Sequence, residues 1–206
     1  MAHHGVLFLD EIGEFTKKTL DMLRQPLENG CITISRTHAS ITYPATFLLI
    51  AAMNPCPCGY AGSNTHYCTC SAKQVLAYQN RLSGPLRDRF DINLSLRPIN
   101  LEQAANLGEE EPSKIVRERV KEARERQYHR YGAEIVNSRV SYGELLQASP
   151  LSRSQQITLQ ELAIKKNWSN RTQIKIIRLA RTIADLQGSP AITNQTIEEA
   201  IHLNLV

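Results

Sequence analysis

The sequence lacks long apolar runs, has few aromatic residues and carries no strong excess of charge. No apolar stretch approaches the roughly 18 residues that a membrane-spanning helix needs. Lys and Arg number 24 against 20 Asp and Glu, and this mild formal charge of +4 does not by itself indicate a nucleic-acid binder. No segment repeats at a fixed period, which excludes a solenoid. The first five residues also lack signal-peptide character, so we predict a cytoplasmic protein without a membrane partner.

Apolar residues make up 42% of the chain, enough for a hydrophobic core, and their spacing divides it into an α/β part and a helical part. The apolar runs at 6–9 and 47–53 are typical of parallel strands that are covered on both faces. Helical spacing at 15–27 and alternation of period two at 31–35 and 40–43 predict a helix followed by a β-hairpin.

The second half of the chain is predicted to be entirely α-helical. Helical apolar spacing occurs in four segments, at 113–131, 152–166, 171–186 and 193–203. Thr193 is a typical N-cap for the last of them. Residues 101–112, with three consecutive glutamates and a proline, are predicted to be a linker between a domain at 1–100 and one at 113–206.

Two adjacent carboxylates, Asp10 and Glu11, directly follow the first apolar strand. Ligands of open α/β sheets bind beyond the carboxyl ends of the strands, so such a pair faces a binding crevice. One acid can hold a phosphate-bound Mg²⁺ through its water shell while the other polarises an attacking water. The alternative is that both acids merely stabilise the start of the following helix, where negative charge suits the helix dipole.

An amide and two arginines strengthen the catalytic interpretation. Asn54 follows the second apolar strand and could orient the same water through its neutral side chain. Arg87 and Arg89 lie on a predicted turn or short helix, from which an arginine can reach a phosphate held by a neighbouring subunit. Taken singly, either arginine is more typical of a solvated surface charge.

Together these residues resemble the AAA+ ATPases of the magnesium-chelatase group. Gly-Val-Leu-Phe-Leu-Asp-Glu at 5–11 is similar to a Walker B strand, and Asn54 matches the sensor-1 position. Arg89 matches the arginine finger, with Arg87 as the alternative. Three further motifs narrow the resemblance to the ComM/YifB family: Leu-Arg-Gln-Pro-Leu-Glu at 23–28, Ala-Met-Asn-Pro-Cys-Pro-Cys-Gly at 52–59 and Ser-Gly-Pro-Leu at 83–86.

The resemblance implies a partial AAA+, or P-loop NTPase, parallel sheet with a β-hairpin insertion, followed by an all-α lid domain. It assigns the Mg²⁺ of bound ATP to Asp10, water activation to Glu11 and γ-phosphate sensing to Arg171, which opens a helix after Ser169. The implied partners are further copies in a ring, expected to be a hexamer, and DNA for a motor similar to branch-migration helicases. A magnesium chelatase that inserts metal into a tetrapyrrole is the alternative.

One motif of the family is missing, because no Gly-x-x-x-x-Gly-Lys-Ser/Thr occurs in the 206 residues. That loop supplies the backbone amides and the lysine that hold the β- and γ-phosphates. We therefore expect the chain to be the later part of an ATPase, inactive alone and serving as an assembly or binding module. A sheet without its phosphate-loop strand is also expected to expose apolar surface, and then to self-associate or rearrange near its N-terminus.

The predicted hairpin has a counterpart in this branch of AAA+ proteins, where a β-hairpin before sensor 1 points into the ring pore. Residues 31–46 fit that position. Arg36 and His38, near the tip, are candidates for contact with a DNA backbone. The alternative is an ordinary solvated hairpin.

All five cysteines lie in the first 70 residues of the chain. Four of them form two C-x-C pairs separated by nine residues: Cys56, Cys58, Cys68 and Cys70. Four thiolates in this order could bind a structural Zn²⁺ ion, with His66 available to replace one ligand. Reduced thiols without metal and oxidised thiols are the alternatives. Cys31 lies in a predicted strand and is interpreted as a small core residue.

Overall fold

The computed structural model describes residues 2–37, 39–63, 65–96 and 111–204. They form two compact units, the first ending at Phe90 and the second beginning at Asp91. The predicted linker at 101–112 lies outside the described residues except for its last two positions. None of the helices in the described ranges has both the length and the apolar composition that crossing a bilayer requires.

The first unit contains two small sheets and several short helices. In chain order its elements are β1 (Val6–Leu9), α1 (Lys17–Asp21), α2 (Arg24–Asn29), β2 (Cys31–Arg36), β3 (Ala39–Pro44), β4 (Leu48–Ala51), α3 (Ala72–Gln79) and α4 (Gly84–Arg87). A single 3-10 turn, Ile12–Glu14, follows β1.

The first sheet is the parallel pair β1–β4, which runs in register from Val6 opposite Leu48 to Leu9 opposite Ala51. One face, including Leu9 and Ala51, packs on a core to which α1, α2 and α4 contribute leucines. The other face leaves four apolar side chains between 45% and 59% exposed: Val6, Phe8, Leu48 and Ile50. The prediction that both faces are covered is therefore wrong for the described residues, because the core helices cover one face. Exposed apolar surface agrees with the expectation from the sequence, and self-association stays a prediction.

The helix predicted at 15–27 is two short helices, α1 and α2, with a break at Met22 and Leu23. Pro26 explains the break. In a continuous helix, residue 26 would donate its N–H to the carbonyl of Met22, but proline has no N–H and its ring clashes with that carbonyl. Pro26 lies instead in the first turn of α2, where no N–H partner is needed, and α2 ends at Gly30 with φ of 67°.

The second sheet is the antiparallel hairpin β2–β3, which confirms the prediction and places Arg36 opposite Ala39 beside the turn. Alternation gives the hairpin two chemically different faces. Hydroxyl pairs hydrogen-bond across one face, Thr33 with Thr42 at 2.9 Å and Ser35 with Ser40 at 3.0 Å. The other face exposes Ile32, Ile34, Ile41 and Tyr43.

The second unit is helical, as predicted. Its helices are α5 (Ser113–Tyr131), α6 (Tyr142–Ala148), α7 (Arg153–Lys166), α8 (Asn170–Leu186) and α9 (Asn194–Asn204). Four of them match the predicted segments to within one residue at each end, and α6 was not predicted. Thr193 is confirmed as an N-cap, since its hydroxyl accepts a 3.2 Å hydrogen bond from the Thr196 amide.

The core of this unit is built around α8. Its buried residues recur at helical spacing and include Ile176, Ile177, Ala180, Ile183 and Ala184. Leu145 of α6, Leu159 of α7 and Ile197 of α9 belong to the same cluster. The segment after Asp91 joins this unit, because the Asn93 amide donates to the Leu203 carbonyl at 2.8 Å.

A fully buried ion pair, Arg181 with Asp185, lies one turn apart on α8, and both side chains are 0% exposed. Arg181 Nη2 donates to Asp185 Oδ1 at 2.9 Å and to the Ser189 carbonyl at 2.6 Å. Asp185 also pairs with Arg130 of α5 and accepts a 2.9 Å bond from Asn137 Nδ2. The carboxylate thus joins α8, α5 and the segment after α5.

Replacing Asp185 by alanine is expected to lower the stability of the second unit by about 3–5 kcal/mol, because it leaves buried guanidinium charge without a counter-ion. Urea denaturation followed by fluorescence of Trp168 measures this, since the chain's one tryptophan packs against the core of that unit. Glu161→Ala, at an exposed position on α7, is the matched control and should leave the midpoint unchanged. Equal midpoints for both variants would contradict the assigned role of Asp185.

Candidate functional site

The carboxyl ends of β1 and β4 bring three of the predicted catalytic residues to one edge of the sheet. Two backbone bonds continue the pairing beyond the strands: the Ala52 amide donates to Leu9 at 3.0 Å, and the Ile12 amide donates to Ala52 at 2.9 Å. Asp10 and Glu11 lie between these bonds, and Asn54 follows two residues after Ala52. All three side chains are exposed. The edge therefore offers two carboxylates and an amide to a ligand in solvent.

Glu11 has a left-handed backbone conformation, with φ of 48° and ψ of 45°. This region is costly for a residue with a Cβ atom, by about 1–3 kcal/mol. The Asp10 carboxylate accepts a 2.9 Å bond from the Glu11 amide, which holds the two acids in a fixed relation. Backbone strain of this kind persists only where surrounding contacts impose it.

Helix α3 and the residues after it supply contacts of this kind. The ring of Tyr78 is 2% exposed and packs so closely on Gly13 that a Cβ there would lie 2.3 Å from Tyr78 Cζ. Arg81 Nη1 donates to the Gly13 carbonyl, and its 3.3 Å ion pair with Glu14 lies on the same turn. The sequence interpretation missed Tyr78 and Arg81. The sequence feature that could have located α3 is the capping box at Ser71, which marks the start of that helix.

The two arginines proposed as fingers have different surroundings. Arg89 forms an ion pair with Glu28 of α2, donates to the Pro85 carbonyl, and keeps its side chain 10% exposed. Its Nε atom is buried without a hydrogen-bond partner among the described residues. Arg87 is exposed and donates to the backbone carbonyl of Gln79 at 2.6 Å. Arg89 must therefore leave Glu28 before it can bind a phosphate.

The four cysteines of the two C-x-C pairs form one cluster, in which all the sulfurs lie within 4.8 Å of one another. Their separations are 3.4 Å for Cys56–Cys58, 3.5 Å for Cys58–Cys68 and 3.7 Å for Cys56–Cys68. All are free thiols, and Cys56 is fully buried. The ring of His66 stacks on Tyr60 instead, with 4.8 Å between centroids. Cys31 is half-buried rather than a core residue.

Two thiols of the cluster have pKa values that move in opposite directions. The hydrogen bond from the Tyr60 backbone lowers the pKa of Cys58 to about 5 and thereby favours its thiolate. For Cys68, the Cys70 backbone acts to lower the pKa, but burial and the neighbouring sulfurs outweigh it and raise the pKa to about 12. Of these two thiols Cys58 is therefore the one that ionises first, and the neighbouring sulfurs oppose ionisation of Cys68.

The hairpin tip carries Arg36, which ends β2 on an exposed strand. The other candidate for DNA contact, His38, lies outside the described residues. β3 is exposed along its whole length. Alternation places Arg36 on the face of Ile32 and Ile34, and the hydroxyl pairs lie on the opposite face of the hairpin.

Arg171 lies in the first turn of α8, in the second unit, after the N-cap Ser169, whose hydroxyl accepts a 3.1 Å bond from the Thr172 amide. Lys175 and Arg178 follow at intervals that place them on the same side of the helix. Desolvation raises the pKa of Asp91, and the charges of Lys175, Arg178 and Arg171 oppose that rise. The face that holds Arg171 is therefore positively charged, as an anion site requires.

Two family models match the chain. The model described as "Magnesium chelatase, subunit ChlI" matches residues 1–104, and the one described as "Magnesium chelatase, subunit ChlI C-terminal" matches residues 110–204. The first covers the sheet edge, the hairpin, the cysteines and the two arginines that are candidates for a finger. The second covers the helices α5 to α9.

Several curated proteins are similar over almost the whole chain. Uncharacterized protein YifB of Escherichia coli is 44% identical over 204 residues, which are 98% of this chain and 39% of that protein. Competence protein ComM of Haemophilus influenzae is 42% identical over 202 residues, with the same shares. The chloroplastic magnesium-chelatase subunit ChlI of Nicotiana tabacum is 25% identical over an alignment of 207 positions, which covers 97% of this chain and 42% of that protein. The chain thus spans about two fifths of the length of these relatives.

Replacing Glu11 by glycine is expected to stabilise the sheet edge by about 1 kcal/mol, because glycine adopts the left-handed conformation without the steric cost of a Cβ atom. Exchange of the Ala52 amide hydrogen, which is bonded to the Leu9 carbonyl, should then slow about fivefold. Glu11→Ala keeps the Cβ atom and is the matched control, for which no slowing is expected. The same rate in both variants would show that the conformation is not strained.

Proposed function

The chain belongs to the magnesium chelatase subunit ChlI family, and on that premise we propose that it carries the hydrolytic residues of an ATP-driven ring motor that acts on DNA. The family is of the AAA+ type and implies a P-loop fold. The observation that carries the proposal is the sheet edge, where β1–β4 pairing gathers Asp10, Glu11 and Asn54. Such an edge is where ligands of parallel α/β sheets bind.

The three residues have complementary chemistry for hydrolysis of a phosphoanhydride. Bound MgATP would supply the phosphoryl group that water attacks. Asp10 would hold the magnesium ion through its water shell, which suits an exposed carboxylate, since Mg²⁺ keeps several waters and uses one or two protein carboxylates. Glu11 would take the proton of the attacking water, and the Asn54 amide would orient that water without accepting its proton.

Two arginines would respond to the nucleotide. Arg89 would act in trans on the γ-phosphate of a neighbouring subunit after leaving Glu28, which makes its ion pair a contact to be exchanged on assembly. Arg87, which is already exposed, is the alternative for this role. Arg171 would sense the γ-phosphate from α8, within the positively charged face described above. The active assembly would be a ring, which we expect to be a hexamer.

DNA is the proposed substrate because the β2–β3 hairpin could contact a DNA backbone. The exposed hairpin presents Arg36 beside its turn and hydroxyl groups on the opposite face, and each group can contact a phosphate. A relative that is 42% identical is named a competence protein, which supports this choice. The similarity to the tobacco magnesium-chelatase subunit supports the second candidate, metal insertion into a tetrapyrrole, at a lower identity of 25%.

Alone, the 206-residue chain is proposed to be an assembly or binding module without turnover. Its sequence has no phosphate loop, so it lacks the amides and lysine that would hold the β- and γ-phosphates of ATP. Its share of the relatives' length, 39% for YifB, leaves room for that loop elsewhere in a longer polypeptide.

We consider a chimera in which the part of Haemophilus influenzae ComM that precedes the region similar to this chain is joined to the N-terminus of this chain. The chimera is expected to hydrolyse ATP faster with DNA than without it. Glu11→Gln in the chimera should lower kcat by about 100-fold or more, because the glutamine amide cannot accept the proton of water. Glu161→Gln, at an exposed position on α7, is the matched control and should keep most of the activity.

Hydrolysis is measured by phosphate release from the chimera, its two variants and the isolated chain. An unchanged kcat in Glu11→Gln would refute the assignment of the base. Turnover by the isolated chain would refute its description as an inactive module. Stimulation by a porphyrin-binding partner and none by DNA would favour the tetrapyrrole alternative.

Replacing Arg36 by alanine is expected to weaken DNA binding by the isolated chain, because one phosphate contact is lost. Binding of a branched DNA is measured by fluorescence anisotropy over a range of salt concentrations. The slope of log K against log[salt] should be smaller in magnitude by about 1 for the variant than for the unmodified chain. Lys73→Ala removes an exposed charge from α3 and should leave both affinity and slope unchanged. Identical behaviour of the two variants would place the DNA contact elsewhere.

A further inference from the structure

We propose that the four clustered cysteines bind one structural Zn²⁺ ion, and that this ion fixes the segment between β4 and α3. That segment helps to hold the sheet edge of Asp10, Glu11 and Asn54, which we call the catalytic edge. The ligands are the sulfurs of Cys56, Cys58, Cys68 and Cys70. The metal-binding part of this proposal stands independently of ATP hydrolysis, whereas the part concerning the catalytic edge rests on the proposed function.

The sulfur geometry fits a tetrahedral metal better than any covalent alternative. With Zn–S bonds of about 2.3 Å, the sulfurs of a tetrahedral site lie about 3.8 Å apart. The separations of 3.4 Å, 3.5 Å and 3.7 Å are close to that edge length. A disulfide would need sulfurs about 2.0 Å apart. The Cys70 sulfur lies within 4.8 Å of the other three, so all four can be ligands of one ion.

The first C-x-C pair is folded as a metal knuckle. The Gly59 amide donates to the Cys56 carbonyl at 3.0 Å, and Gly59 has φ of 82°, which turns the chain back on itself. The Ala61 amide then points at the Cys56 sulfur, 3.2 Å away. An N–H donor on a ligating sulfur stabilises the negative charge that the sulfur carries as a metal ligand.

The segment has little else to hold it together. Between β4 and α3, Cys56 is the only buried side chain among the described residues, and those residues include no helix or strand. A stretch of this length without an apolar core does not normally keep one conformation, and a structural zinc ion is a common substitute for a core. The tyrosines of this stretch, Tyr60 and Tyr67, are exposed.

The cluster connects Asn54, at the sheet edge, with helix α3, which packs on the turn after Glu11. Asn54 precedes Cys56 by two residues, and the Pro55 carbonyl accepts a 3.2 Å bond from Gln79 Nε2 of α3. At the other end, Cys70 directly precedes Ser71, the N-cap of α3. That helix carries Tyr78, which packs on the turn that follows Glu11. A metal ion here would tie the end of β4 to the start of α3.

Metal analysis of the chain, purified without chelator, is expected to find about one zinc per molecule. Cys68→Ser and Cys70→Ser should each lose most of it, and Cys31→Ser, on β2 outside the cluster, should retain it. Zinc retained by the Cys68 and Cys70 variants, or absent from the unmodified chain, would overturn the proposal.

Cobalt substitution tests the ligand set without relying on the folding of any cysteine variant. Co²⁺ titrated into the metal-free chain should give the thiolate-to-cobalt charge-transfer bands and the intense d–d bands of a tetrahedral tetrathiolate site. His66→Ala should leave the spectrum unchanged. Weak octahedral bands, or a spectrum altered in His66→Ala, would contradict the four-sulfur site.

Hydrogen exchange with and without bound zinc separates the two parts of the proposal. Removal of the metal should speed exchange of the Ala61 amide and of amides in the first turn of α3, while Trp168 fluorescence of the second unit stays constant. If the chain binds zinc but the amides of α3 exchange at the same rate with and without the metal, the link to the catalytic edge is overturned. If zinc and exchange behave as expected but the chimera hydrolyses no ATP, the proposed function fails and the metal site stands.

Discussion

The arrangement of the first unit depends on the parallel pairing of β1 with β4. These strands are distant in sequence, and only their register brings Asp10 and Asn54 to a common edge. A two-stranded parallel pair is weak in isolation, because parallel hydrogen bonds are slanted and one face here is exposed to water. The pairing therefore relies on the helices packed against its other face and on bonds beyond the strand ends, such as that from the Ile12 amide to Ala52.

The sequence predicted those features of the fold that have strong local signals. Long amphipathic periods located α5 and α8, and alternation with a short turn located the hairpin. Helices α3 and α6 were missed because they are short, although the capping boxes at Ser71 and Ser141 mark where they begin. The exposed sheet face could not be predicted, because a continuous apolar run reports the preference of a strand and not which neighbours cover it.

The candidate site likewise has features that local sequence patterns predict and features that they do not. The residue types and their positions after two strands identify Asp10, Glu11 and Asn54 as a group, but no local pattern reveals that Glu11 is left-handed or that Arg81 bonds the Gly13 carbonyl. Both depend on contacts between distant parts of the chain. The Arg181–Asp185 pair shows the same limit, since charges four residues apart on a helix are typical of a solvated surface, whereas here both are buried.

The contacts around Glu11 give a physical reason for a cysteine cluster beside the sheet edge of Asp10, Glu11 and Asn54. A strained residue keeps its conformation only if several independent contacts impose it, and here these come from Tyr78 and Arg81 at the end of α3. Helix α3 is joined to β4 by a segment that has almost no buried apolar residues of its own. If that segment were free to move, α3 could shift away from Gly13, and Glu11 would relax toward an ordinary conformation. A metal ion held by four sulfurs would remove this freedom, so that the strain at Glu11 and the position of Asn54 are fixed by the same short stretch of chain.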